Sequence, residues 1–202
     1  TAGASLAALL ADTHSGFRLP LGLPIIGLHV KLDALSAFFS LIVNLGVLTT
    51  AIYGMGLDRD RDLSGRVEPF FPAYALAMNL VLIAGDAFGF LFSWELMSLT
   101  SWVLVVSHHR DAGNRHAGHV YLVMAAIGTA SLLFAFGGLA GASGNYAFDA
   151  IRAVPPGPLV SGLVLAGAIF GAGSKAGIAP LHAWLPLAHP AAPSHVYALM
   201  SG

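Results

Sequence analysis

Apolar residues in this chain come in runs of about twenty, separated by short polar connections, and they do not alternate with polar residues as they would along a half-buried strand. Residues 33–56, "DALSAFFSLIVNLGVLTTAIYGMG", open on Asp33, which is suited to N-capping, and close on glycines before the charged stretch "LDRDRDLSGRVE". A hydrocarbon core of roughly 30 Å takes about 20 helical residues at 1.5 Å each, so this run predicts one span. The block from Phe70 to His109 has room for two, over 70–85 and 87–107, with the turn at Gly85-Asp86. Residues 118–141, "GHVYLVMAAIGTASLLFAFGGLAG", predict a fourth span and 159–179 a fifth. Pro180, Pro186, Pro190 and Pro193 then forbid an uninterrupted helix, because each lacks an N–H and crowds the carbonyl four residues back. The stretch 180–193 is therefore expected to be kinked or unwound, with a partial helix starting at Ser194.

The opening "TAGASLAALLA" is too short to span a membrane, and "HVYALMSG" stops inside an apolar segment, so truncation at both ends is expected. No short repeat and no soluble domain interrupts the pattern. Residues 1–202 read as one all-α, polytopic transmembrane bundle.

Composition strengthens this picture. Hydrophobic residues make up 56% of the chain and charged ones 9%, against about 25% charged in an ordinary soluble domain. The formal net charge of -1, with no basic stripe, argues against nucleic acid as a partner. With no cysteine, disulfides, thiolate catalysis and cysteine-held metal or iron–sulfur centres on this chain are excluded. Arg59, Arg61, Arg66, Arg110 and Arg115 fall on one side of the predicted membrane, Arg18, Lys31 and Arg152 on the other. The positive-inside rule places the 57–69 and 108–117 loops in the cytoplasm and Asp33 outside, in a multi-pass protein of the cell's inner (cytoplasmic) membrane.

Few ionisable groups are then left at membrane depth. Glu95 lies in the middle of "FSWELMSLTSWVLVV" and Lys175 in "GAIFGAGSKAGIAP". Asp86 sits at a helix start, where a carboxylate can cap or meet water. A charge at a helix centre costs roughly 2.5–3.5 kcal/mol on insertion scales, so something must offset it. One reading is a structural ion pair or helix–helix clasp; the other is an ion pathway. Ser98, Thr100 and Ser101 near Glu95 offer hydroxyls, and Gly171, Gly173 and Gly177 around Lys175 permit close approach or unwinding. Pro180 removes the hydrogen bond to the carbonyl of residue 176, so the helix is expected to open beside the lysine, with freed carbonyls available to a cation or water chain. A carboxylate about 4 Å from an ammonium attracts it by on the order of 4 kcal/mol at an effective dielectric near 20, enough to switch a buried lysine between holding and releasing a proton.

His182, His189 and His195 follow the break, and histidine suits proton relay; each alone also fits an interfacial or structural role. His108, His109, His116 and His119 cluster around Arg110 and Arg115, and a solvated loop explains them better than a metal site does. "GAGSKA" at 171–176 matches a dinucleotide-site pattern but follows no predicted strand, so no nucleotide or other cofactor is expected.

"FSWELMSLTSWVLVV" and "GSKAGIAPLHAWLPLAHPAAPSHVYALMSG" resemble signature regions of the proton-conducting membrane transporter family: complex I antiporter-like subunits, Mrp-type antiporter subunits and hydrogenase membrane subunits. "HPAAPSH" and "ALMSG" are most similar to the hydrogenase-4 component B branch, and "LDALSAFF" and "AGHVYLVM" add weaker support. The resemblance implies an antiporter-like fold with a discontinuous helix near Lys175. It also implies that Glu95 and Lys175 form a gating ion pair for proton transfer, with His195 joining a central axis and His182, His189 and Asp86 as candidates for the pathway. Tyr197 departs from the serine that relatives often carry.

The expected function is that of a proton- or sodium-translocating subunit of a hydrogenase- or complex I-like oxidoreductase. It would work with other membrane subunits and soluble redox subunits and carry no redox centre of its own. A Mrp-type sodium/proton antiporter subunit and a membrane scaffold that moves no ion are the alternatives. The chain offers no nucleophile–base pairing that would make it an enzyme by itself.

Overall fold

A computed structural model describes residues 15–19, 27–57 and 69–201. The opening "TAGASLAALLA", Arg59, Arg61 and Arg66 lie outside the described residues.

The described chain runs β1 (Ser15–Leu19), β2 (Leu28–Leu32), α1 (Ala34–Leu57), α2 (Phe70–Ile83), α3 (Ala87–Val105), α4 (Ala112–Ser143), α5 (Phe148–Ala153), α6 (Pro158–Ala176), α7 (Leu185–Ala191) and α8 (Ser194–Ser201). The bundle is helical as expected, with one addition. The strands β1 and β2 pair antiparallel, Ser15 opposite Leu32 and Leu19 opposite Leu28. "LHVKL" carries the period-two alternation of a strand, a signal too short to stand out beside runs of twenty apolar residues.

Among the described residues, four helical stretches are long and apolar enough to cross a membrane: Ala34–Gly56, Ala87–His108, Ala112–Gly141 and Pro158–Ala176. Phe70–Ile83 is apolar but shorter. Their ends follow local chemistry. Asp33 Oδ1 accepts from Ser36 N at 2.8 Å and starts α1. Asp111 Oδ1 accepts from Gly113 N and Asn114 N, so α4 begins at Ala112, six residues before the apolar run at 118. Pro158 opens α6, where its missing N–H costs nothing.

The distribution of side chains is inverted relative to a water-soluble protein. Leu35, Phe38, Ile42, Leu48, Ile52, Phe92, Leu133, Phe134, Leu159 and Leu165 are exposed, whereas Ser93, Ser98, Thr100, Ser101, Ser174 and His195 are buried. Apolar surfaces of this extent suit contact with lipid or with other membrane helices. Inside, α3 packs between α2 and α4, α6 lies along α4, and α8 rests on α1. The α4–α6 contact depends on two glycines, because a Cβ on Gly171 would lie 2.8 Å from the Gly128 carbonyl oxygen. From the end of α6 the Lys175 side chain then reaches the polar face of α3.

The break after α6 differs in cause from the expectation. Helix α6 ends at Ala176 because Gly177 turns left-handed (φ 73°, ψ 33°), a conformation that favours glycine, and its N–H caps the Gly173 carbonyl. Pro180 lies beyond a helix already ended. Of the two expectations for 180–193 the kinked one fits: a seven-residue helix re-forms over Leu185–Ala191; Pro186 falls in its first turn, where no N–H is required, and Pro190 sits near its end.

Candidate functional site

Lys175 occupies the last turn of α6, where the helix dipole favours a cation. Its side chain crosses to α3 and α4. Lys175 Nζ donates to Ser98 Oγ at 3.1 Å and to the Tyr121 hydroxyl at 2.5 Å, and lies 4.9 Å from the Tyr121 ring centre. Tyr121 OH is in turn 2.6 Å from Ser101 Oγ. Ser98 and Ser101 also bond backbone carbonyls of their own helix, Trp94 O at 3.0 Å and Met97 O at 2.7 Å. The half-buried ammonium thus meets hydroxyl oxygens and an aromatic ring at the junction of three helices.

Two carbonyls in the last turn of α6 take donors from beyond the break. Trp184 Nε1 donates to Ser174 O at 2.7 Å, Ile178 N to Gly173 O at 2.9 Å and Ser174 Oγ to Gly171 O at 2.8 Å. The bonds to Ser174 O and Gly173 O tie the segment after the break to the turn bearing Lys175. Trp184 also meets Tyr121 edge-on at 5.0 Å and His189 at 5.6 Å.

The other predicted residues fall in different places. Glu95 is half-buried on α3, three residues before Ser98, and makes no ion pair with Lys175 in this structure. His189 lies between Trp184 and Tyr197, 4.9 Å from the latter ring, and its Nε2 has no hydrogen-bond partner among the described residues. His195 is buried on the opposite side of α8, 5.5 Å from the Phe71 ring and close under Gly54. His182 is exposed. The three histidines are therefore not gathered into one hydrogen-bonded line.

Asp86 is fully buried as the N-cap of α3. It accepts from Gly89 N at 2.6 Å, His29 N at 2.6 Å and His29 Nδ1 at 3.2 Å, which fastens β2 to the start of the helix that carries Glu95. It lies about 13 Å along the axis from Glu95. On the same side of the bundle Lys31 Nζ donates to Asp149 Oδ1 at 2.9 Å, with Arg152 at 3.5 Å; this contact holds the Asp149 carboxyl below its ordinary value. No group of three or more His, Asp or Glu side chains suited to a metal occurs among the described residues.

Sequence reasoning missed Tyr121, Trp184 and His29. A tyrosine within an apolar span is itself a signal, since its hydroxyl must find a partner there.

An inside-out helical bundle with a cation at a broken helix defines the class: a polytopic helical membrane protein. Residues 84–202 match the family described as "NADH:quinone oxidoreductase/Mrp antiporter, TM", and the chain belongs to that family. Among curated proteins it is 42% identical over 189 residues to an uncharacterized protein of Mycobacterium tuberculosis, covering 93% of this chain and 28% of that one. It is 37% identical over 177 residues to hydrogenase-4 component B of Escherichia coli, covering 87% of this chain and 26% of that protein. The chain thus spans little more than a quarter of these relatives. In fold it is similar to a chain of the membrane-bound sulfane sulfur reductase, an archaeal respiratory membrane complex, with TM-score 0.84 at 21% identity over 97% of this chain and 40% of that chain.

Proposed function

We propose that this chain forms part of a proton-translocating subunit of a hydrogenase- or complex I-like oxidoreductase in the inner (cytoplasmic) membrane, with Lys175 as the group that takes up and releases the proton. The observation that carries this reading is the Lys175 ammonium held on Ser98 and Tyr121 at the break between α6 and α7. Glu95, one turn away on the same face of α3, is the proposed carboxylate partner, and approach to or withdrawal from it changes the balance between charged and neutral lysine. His189, with a buried ring nitrogen that has no hydrogen-bond partner among the described residues, and His195 are the proposed onward groups. Neighbouring membrane subunits would cover the apolar faces, and soluble redox subunits would supply the driving reaction.

Moving one charge against 100 mV costs about 2.3 kcal/mol, within the scale of making or breaking one such ion pair. Replacing Glu95 by Gln in the full-length protein, assembled with its partners in sealed vesicles, tests the reading. Redox-driven proton uptake should fall while redox turnover persists. Unchanged uptake would instead favour a scaffold that moves no ion, and strict dependence of uptake on sodium would favour a sodium/proton antiporter subunit.

A further inference from the structure

The functional reading gives Lys175 one partner, Glu95, yet the ammonium rests elsewhere. Its contacts are Ser98 Oγ at 3.1 Å and the Tyr121 hydroxyl. Ser98 follows Glu95 by three residues, about 4.5 Å along the axis of α3 and on the same face. A lysine's flexible four-carbon stem covers that separation by rotamer changes alone. We propose that Ser98 and Tyr121 form a second seat for the Lys175 ammonium, alternative to Glu95, and that both act as positioning residues for the ion-transfer step. This inference rests on the reading of Lys175 as the proton-carrying group.

The seat is a built one. Tyr121 is 2% exposed; its hydroxyl is fixed by Ser101 Oγ at 2.6 Å and its ring by the edge of Trp184 at 5.0 Å. Ser98 is 0% exposed and spends its own proton on the Trp94 carbonyl at 3.0 Å, which leaves an oxygen lone pair for Nζ. The Tyr121 ring face adds a cation–π contact. Hydroxyl oxygens stabilise an ammonium without neutralising it, whereas Glu95 would neutralise it. Passing between the seats therefore alters the uncompensated charge inside the bundle with little backbone movement. Trp184 joins the seat to the far side of the break, because the indole that supports Tyr121 also donates to Ser174 O, beside Lys175.

The two seats compete, so weakening one should populate the other. Loss of one hydrogen bond to a charged group shifts such an equilibrium by about tenfold or more. The test uses the full-length protein purified with its native partners, as wild type and as Tyr121→Phe, Ser98→Ala/Tyr121→Phe, Ser98→Thr and Lys175→Gln. Tyr121→Phe keeps the ring and its packing, and Ser98→Thr keeps the hydroxyl. In structures of the first two variants, Lys175 Nζ should move to ion-pair distance from the Glu95 carboxylate, and ion uptake per redox turnover should fall about tenfold; Ser98→Thr should leave both as in wild type. An ammonium still at its wild-type position in the double variant, with wild-type uptake, would overturn the second seat. Wild-type uptake in Lys175→Gln would overturn the functional reading instead, and the position of Nζ in the other variants would still decide the matter of the seat.

Discussion

Trp184 and Ser174 are joined across a broken helix, the indole N–H donating to the Ser174 carbonyl at 2.7 Å with both residues buried. The bond occupies a carbonyl that the end of α6 leaves without an intrahelical donor, and it fixes where the chain goes after the break. Trp184→Phe keeps most of the ring packing and removes the donor, so it should lower stability by about 1–3 kcal/mol. Trp184→Ala adds a cavity, for about 3–5 kcal/mol. Thermal unfolding of the full-length protein in detergent measures both, and equal effects from the two variants would show that the hydrogen bond alone matters.

Gly177 is the second constraint on the break. Its φ of 73° disfavours any L side chain, and a Cβ there would run into Leu185. Gly177→Ala should cost at least about 1 kcal/mol in the same unfolding assay, and Leu185→Ala should recover part of the loss by clearing the clash. Full tolerance of alanine would mean that the turn does not hold this conformation.

Asp86 should matter to the fold more than to ion movement. Asp86→Ala removes the N-cap of α3 and strands the backbone N–H of His29, at a cost of about 1–2 kcal/mol for the cap alone. Asp86→Asn keeps an acceptor oxygen and should cost less. The ordering Asn above Ala in melting temperature checks the prediction.

The Lys31–Asp149 contact predicts a dependence on pH. The hydrogen bond from Lys31 is the main reason that the Asp149 carboxyl lies below its ordinary value. Its contribution to stability is therefore present above the unfolded carboxylate value, about 3.9, and is lost as pH falls through the lower folded value. Both side chains meet solvent, so the effect is small and screened by salt. Lys31→Met should be less stable than wild type at pH 6 in low salt and converge with it below about pH 3. A difference that persists undiminished at acid pH would assign it to lost packing.

Much of this architecture is legible in the sequence because membrane helices advertise themselves by length: the runs at 33–56 and 118–141 cover all but the last residue of Ala34–Leu57 and most of Ala112–Ser143. Glu95 and Lys175 stand out because a charge inside such a run is costly. The residues that hold Lys175 do not stand out. Tyr121 lies 54 positions from it, and nothing local to "GHVYLVM" says which helix its hydroxyl will face. His29 and Asp86, 57 residues apart, meet only because β2 folds against the start of α3. The break falls beside Lys175, where it is expected, but its cause is less legible: proline forbids a helix through its missing N–H, and here glycine ends the helix first through its backbone freedom.

The account turns on Lys175, and proton uptake by sealed vesicles containing the full-length Lys175→Gln protein assembled with its redox partners tests it most directly. Glutamine keeps a polar amide at this position, one atom shorter than the ammonium, but cannot carry the charge. The account predicts that redox turnover continues while proton uptake per electron drops about tenfold or more. Uptake at the wild-type ratio would contradict it and leave Lys175 as a structural clasp between α6, α3 and α4.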